Sequence, residues 1–183
     1  MLNKNMTKVE IERELKNQGD YVQIDNITRF LKQSPALDVK KFLYAILIDI
    51  YDRRKMFGEA ADICGKLAEI MLDEEEKVVC LKKEIEFYVK AGIFERADSV
   101  LNRTLGEVKA SERPKIKLEI REFYKRQAGV YEKEKRRSLA VKTYEKLLTM
   151  DVPEYEKKEI EENLLKLYKE LGMVSEYLKL SKK

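Results

Sequence analysis

The chain has 183 residues, of which 44% are hydrophobic and 39% are charged, and its 38 basic and 34 acidic side chains nearly cancel to a net charge of +4. This hydrophobic fraction is typical of a globular protein, and the small net charge permits an acidic partner without requiring one. The length suits one domain with its own core better than two, so we predict a single domain over residues 1–183.

Helical signals follow one another along the whole chain. There are only seven Gly and three Pro, and apolar residues recur every three or four positions with no strand-like alternation. Capping patterns predict that helices start at Thr7, Asp20, Ser34, Ser111 and Asp151. Glycines that follow helical runs predict left-handed helix ends at Gly19, Gly92 and Gly172. The sequence therefore predicts an all-α fold.

Comparison of the chain with itself reveals a repeated pattern. Phe57 aligns with Phe94 and Ala60 with Ala97, and a Tyr precedes each Ala by the same spacing. The equivalent positions along the chain are 24, 60, 97, 140 and 177. The interval from position 97 to position 140 is the longest. We expect its extra residues to lie around 127–135 and to form either a longer helix or a hinge.

These repeats resemble tetratricopeptide repeats. In that family a first helix, helix A, ends in a Tyr, and a Gly, an aromatic residue in the turn and an Ala that opens helix B follow it. The pattern is matched by Tyr88, Gly92, Phe94 and Ala97. The family's Trp is missing, and Ile24 and Tyr177 stand where the first and last repeats would carry Ala. The resemblance implies a right-handed α-α superhelix, or solenoid, of about five antiparallel helix pairs.

The residue types that carry most enzyme chemistry are missing or poorly placed. The chain has no His, its two cysteines (Cys64 and Cys80) lie in helical patterns where buried reduced thiols are expected, and no Gly-rich phosphate loop is present. The acidic run 73–76 opens a helix, where carboxylates favour the positive end of the helix dipole. We therefore predict no enzymatic activity, no catalytic residues, no metal site and no cofactor.

The resemblance also implies that residues of the A helices line a partner-binding groove. Transfer of the family's positions selects Phe42, Asp49, Asp52, Arg53, Lys82, Lys83, Glu86, Val89, Lys90, Glu122, Lys125 and Arg126. The Lys and Arg residues of this set suit an acidic peptide through charge-assisted hydrogen bonds. The competing interpretation is a set of solvated surface charges on a highly charged protein.

The predicted function is that of a protein–protein interaction scaffold or adaptor that binds a peptide or protein. The alternative is a nucleic-acid-associated helical protein that uses the basic segment 125–137, although Glu132 and Glu134 interrupt that segment. Leu178 and Leu180 mark the C-terminal end as a candidate surface for self-association. The N-terminus lacks the apolar core of a signal peptide and no apolar run could span a bilayer, so we expect a cytoplasmic protein without membrane contact.

Overall fold

The computed structural model describes residues 2–3 and 6–182, and within them the chain forms ten α-helices and no strand. In chain order these are α1 (Lys8–Lys16), α2 (Asp20–Leu31), α3 (Leu37–Arg53), α4 (Phe57–Glu69), α5 (Glu74–Ala91), α6 (Phe94–Glu107), α7 (Arg113–Lys133), α8 (Arg137–Leu148), α9 (Glu154–Leu171) and α10 (Val174–Ser181). The predicted all-α class is confirmed. No helix in the described residues is both long enough and apolar enough to cross a membrane.

The chain divides into two compact units, the first ending at Val108 and the second beginning at Lys109. In the first unit each helix from α2 to α6 packs against the next in the chain, and in the second unit each helix from α7 to α10 does the same. The core of each unit therefore consists of contacts between consecutive helices. The single domain predicted from the sequence stays a prediction.

One turn geometry occurs four times in the described residues, between α3 and α4, α5 and α6, α7 and α8, and α9 and α10. Each copy follows a tyrosine near the end of the first helix: Tyr51, Tyr88, Tyr131 and Tyr168. Four residues later the backbone is left-handed, with φ of 58° at Lys55, 75° at Gly92, 57° at Lys135 and 69° at Gly172. The next N–H donates to the tyrosine carbonyl at 2.8–2.9 Å, as in a Schellman helix end. This shared geometry is compatible with a helical repeat.

The small residue predicted early in the second helix of a pair is buried in α4, α6 and α8. Ala60, Ala97 and Ala140 each follow the tyrosine of their pair by nine residues, and all three are at most 1% exposed. A side chain no larger than a methyl group lets neighbouring helices approach closely. In the last pair Tyr177 takes this position and is half-buried.

Two of the predicted local features of this repeat are wrong. Gly19 has φ of −66° and is the extended N-cap of α2, so the pair α1 and α2 lacks the repeated left-handed turn. The extra residues of the long interval do not lie at 127–135, because Tyr131, Lys135 and Ala140 keep the register of the other pairs. They lie earlier, mainly in a longer first part of α7, which has 21 residues whereas α5 has 18.

The predicted capping box is confirmed at Thr7, whose Oγ1 accepts from Glu10 N at 3.3 Å while Glu10 Oε2 accepts from Thr7 N at 2.7 Å. The expected opening of a helix by the acidic run is also confirmed, because Asp73 caps α5. The other four N-cap predictions are wrong, because the N-cap residues of α2, α3, α7 and α9 are Gly19, Ala36, Glu112 and Pro153, and none of them forms a side-chain cap. Ser34 has a left-handed φ of 53°, which an N-cap does not adopt.

Candidate partner-binding site

The predicted residue Phe42 lies in an open cleft of the first unit. Together with Ile46 it forms the α3 wall of a cavity of about 600 Å³, and Gln23 of α2 borders the same space. The opposite wall is α1, which contributes Val9, Glu12, Arg13, Leu15 and Lys16. Leu15 is buried and Val9 is 66% exposed, so the cleft offers an apolar surface with charged side chains at its edge.

Asp49 and Arg53 continue the face of α3 that carries Phe42 and Ile46, because spacings of three and four residues return to the same side of a helix. Asp49 is exposed. Arg53 is also exposed, but its Nη2 lies 2.7 Å from Asp20 Oδ1. That hydrogen bond lowers the pKa of the Asp20 carboxyl and joins α3 to α2. Arg54, which the sequence did not single out, pairs with the other Asp20 oxygen at 2.7 Å.

Asp52 and Lys90, two more predicted site residues, contact each other. Lys90 Nζ lies 3.2 Å from Asp52 Oδ1, and 5.4 Å and 4.8 Å from the ring centroids of Phe57 and Phe87. The two rings stack with their centroids 6.5 Å apart. This cluster joins α3, α4 and α5, so the ammonium group of Lys90 already interacts with groups of the protein itself.

The remaining predicted residues of α5 differ in their accessibility. Lys83 is exposed, whereas Lys82 and Glu86 are half-buried and each has an intramolecular interaction. Val89 is 0% exposed, so the expectation that it lines a groove is wrong. Its position on α5 faces the core, because Val89 follows Ile85 by one helical turn and both are fully buried.

In the second unit the predicted residues are engaged within the protein. Lys125 Nζ lies 3.3 Å from Glu159 Oε2 and 3.8 Å from Glu156 Oε2, and Glu122 pairs with Arg121 at 3.4 Å. The guanidinium of Arg126 lies 5.7 Å from the Phe123 ring centroid.

Several basic residues of segment 125–137 form salt bridges with acidic residues of the protein itself. Arg136 pairs with Glu134 at 3.5 Å and Arg137 with Glu170 at 2.6 Å. Tyr131 is 0% exposed, so its ring is inaccessible to a nucleic-acid base. Among the described residues of this segment, three cations form no salt bridge: Arg126, Lys133 and Lys135.

At the C-terminal end, none of the residues of α10 is buried. Leu178 is 48% exposed and Val174 is 65% exposed, while Leu180 is half-buried. The equivalent of Leu178 in the preceding pair is Val141, which is only 3% exposed in α8 because α9 packs against that helix. The outer face of α10 therefore lacks the cover that α8 has.

The first unit contains a buried carboxylate that was not predicted from the sequence. Glu84 of α5 is 6% exposed, lies against Gly65 of α4, and accepts a hydrogen bond from Arg103 Nη2 of α6 at 2.5 Å. Burial raises the pKa of this carboxyl to about 7. The available signal was spacing, because Glu84 falls on the helix face of Leu81 and Tyr88, both of which are buried.

The described residues contain no group of three or more His, Cys, Asp and Glu side chains that could hold a metal ion. No protein-family model, curated protein or solved structure significantly matches the chain. The likeness to tetratricopeptide repeats therefore depends on the residue pattern and on the four shared turns.

Proposed function

We propose that the chain is a protein–protein interaction scaffold built from tetratricopeptide-like helix pairs arranged as a right-handed superhelix. The observation that supports this most directly is the turn geometry shared by four consecutive helix pairs. One helix pair cannot bury both of its faces, so repeats stack on their neighbours and present an extended surface of equivalent helices. Such surfaces serve in recognition of peptides and proteins.

The proposed binding surface is the A-helix face of α3 and α5 in the first unit. It carries Phe42 in the cleft and the exposed side chains of Asp49 and Lys83. Lys90 and Asp52 add charges that are already paired with each other. Asp52 is exposed but Lys90 is half-buried, so a partner that drew Lys90 away from Asp52 would also have to replace its contacts with the rings of Phe57 and Phe87.

A charge reversal tests this surface. The variant Lys82→Glu with Lys90→Glu should lose a stoichiometric partner recovered from a lysate of the source, with binding weakened at least tenfold. The control for net charge is Lys158→Glu with Lys166→Glu on α9, which makes the same change of charge at two lysines of the second unit that are exposed, whereas Lys82 and Lys90 are half-buried. Retention of the partner by the first variant, with far-UV circular dichroism unchanged, would contradict the proposed surface.

The nucleic-acid alternative has less support, because Tyr131 is buried and Arg136 and Arg137 have acidic partners. It predicts an affinity for DNA or RNA that falls steeply with salt, so the absence of a gel shift at low salt would eliminate it. Self-association through Leu178 and the outer face of α10 predicts a sedimentation coefficient that rises with concentration and stops rising in Leu178→Glu.

A further inference from the structure

We propose that the cleft between α1 and α3 binds an acidic peptide segment, with one large apolar side chain against Phe42 and Ile46 and its carboxylates facing Arg13 and Lys16. The inference rests on the proposed scaffold function and names the partner chemistry of one part of its surface. It adds α1, which the sequence had not assigned to any site.

The apolar part of the argument is the shape and lining of the cleft. Its volume of about 600 Å³ falls within the range of protein pockets that hold ligands. Phe42 and Ile46 are only half-buried and Val9 is 66% exposed, so apolar surface remains in contact with solvent. A Leu, Met or Phe side chain of a partner would remove this surface from water, which is the main driving force of association.

The charged residues of the cleft favour a partner with negative charge. Arg13 and Lys16 are three residues apart on α1, so they lie on one face of the helix, and neither forms a salt bridge among the described residues. Among the described residues that line the cleft, Glu12 is the only acidic one. Both cations lie in the last turn of α1, where the negative end of the helix dipole stabilises them.

Three carboxylates of the first unit form hydrogen bonds or ion pairs with other residues. Glu10, whose pKa is lowered mainly by its hydrogen bond with the Thr7 backbone and to a small extent by Arg13, accepts from both Thr7 N and Thr7 Oγ1. Asp38 pairs with Lys8 at 3.1 Å, and Asp20 pairs with two arginines. The cleft thus combines an open apolar wall with an excess of positive charge, which complements an acidic segment with apolar side chains.

A selection from a random library of 12-residue peptides displayed on phage, performed against the full chain, tests the partner class. Enriched peptides should combine Asp or Glu with at least one Leu, Met or aromatic residue. A synthetic copy of an enriched peptide should shift the methyl NMR signals of Val9, Leu15 and Ile46, and its affinity should fall as salt is raised.

Variants locate the binding. Arg13→Glu with Lys16→Glu should weaken binding of the synthetic peptide at least tenfold, and both positions are exposed, so the fold should be unaffected. Phe42→Ala should weaken it by a similar factor. The control Lys158→Glu with Lys166→Glu should bind within about twofold of the original chain, because long-range charge effects are small at physiological salt.

Several outcomes would overturn this inference: no enrichment, enrichment of basic or uncharged peptides, or an acidic peptide whose affinity ignores the change at Arg13 and Lys16. The proposed scaffold function fails separately. If the lysate partner is lost on reversal of Lys82 and Lys90 but retained on reversal of Arg13 and Lys16, the scaffold stands and the cleft assignment does not.

Discussion

Replacement of Glu84 by Gln removes an ionisable group from the interior of the first unit and nearly preserves its shape. The Glu84 carboxyl is held between Gly65 of α4 and Arg103 of α6. Burial disfavours its charged form and raises its pKa from 4.5 to about 7, and the negative charges of Asp62 and Glu69 act in the same direction. Arg103 opposes the rise without cancelling it.

The magnitude follows from the linkage between protonation and folding. The folded protein holds the Glu84 proton more tightly than the unfolded chain, and at 1.36 kcal/mol per pKa unit the difference amounts to roughly 3 kcal/mol. This stabilisation is complete below the unfolded pKa near 4.5 and is lost as the pH rises through about 7. The free energy of unfolding of the original chain, minus that of Glu84→Gln, should therefore be larger at pH 5 than at pH 8.

Urea denaturation followed by far-UV circular dichroism from pH 5 to pH 8 measures this difference. The chain has no His, so no imidazole titrates in that interval and obscures the result. Hydrogen exchange of the α4 and α5 amides reports the same quantity for the first unit alone. Glu74→Gln, an exposed change in the first turn of α5, should stay within about 0.5 kcal/mol of the original chain. A difference for Glu84→Gln that is independent of pH would refute the reasoning.

Four further substitutions test close contacts and turns. Gly65→Ala would place a Cβ 2.9 Å from Glu84 Oε1, so it should lower the free energy of unfolding by about 1 kcal/mol in the original chain. In a Glu84→Ala background the clash is absent and only the higher helix propensity of Ala acts, so Gly65→Ala should raise the free energy of unfolding by about 1 kcal/mol. Urea denaturation of the original chain, the two single variants and the double variant measures the coupling between positions 65 and 84. The backbone is left-handed at both Lys135 and Gly92, and in that conformation glycine avoids the steric cost of a Cβ atom. Lys135→Gly should therefore stabilise the chain by about 1 kcal/mol, and Gly92→Ala should destabilise it by about 1–2 kcal/mol. Thermal denaturation measures this pair, and shifts of the same sign would contradict the shared turn geometry. Ala97→Leu should cost about 1–3 kcal/mol of stability through overpacking, and an unchanged urea midpoint would show that the helices are not in close contact at that position.

Residues close together in the sequence were enough to predict the all-α class, the capping box at Thr7 and the left-handed helix ends at Gly92 and Gly172. Helix periodicity and helix ends depend on contacts within a few residues, which the sequence displays directly. Transfer of the tetratricopeptide-repeat positions selected Phe42, which lies in the cleft. It did not select Arg13 or Lys16, because α1 belongs to a first pair that lacks the repeated turn.

Burial and pairing between helices could not be read from local patterns. Asp52 and Lys90 looked like two independent surface charges, yet they contact each other across 38 positions of the chain. Glu84 was not singled out from the sequence, yet α4 and α6 enclose it, and Tyr131 is fully buried although the basic segment that contains it was a candidate for nucleic-acid contact. The pattern of a single helix shows which residues share a face, but the solvation and charge state of those residues depend on the neighbouring helices that pack against that face.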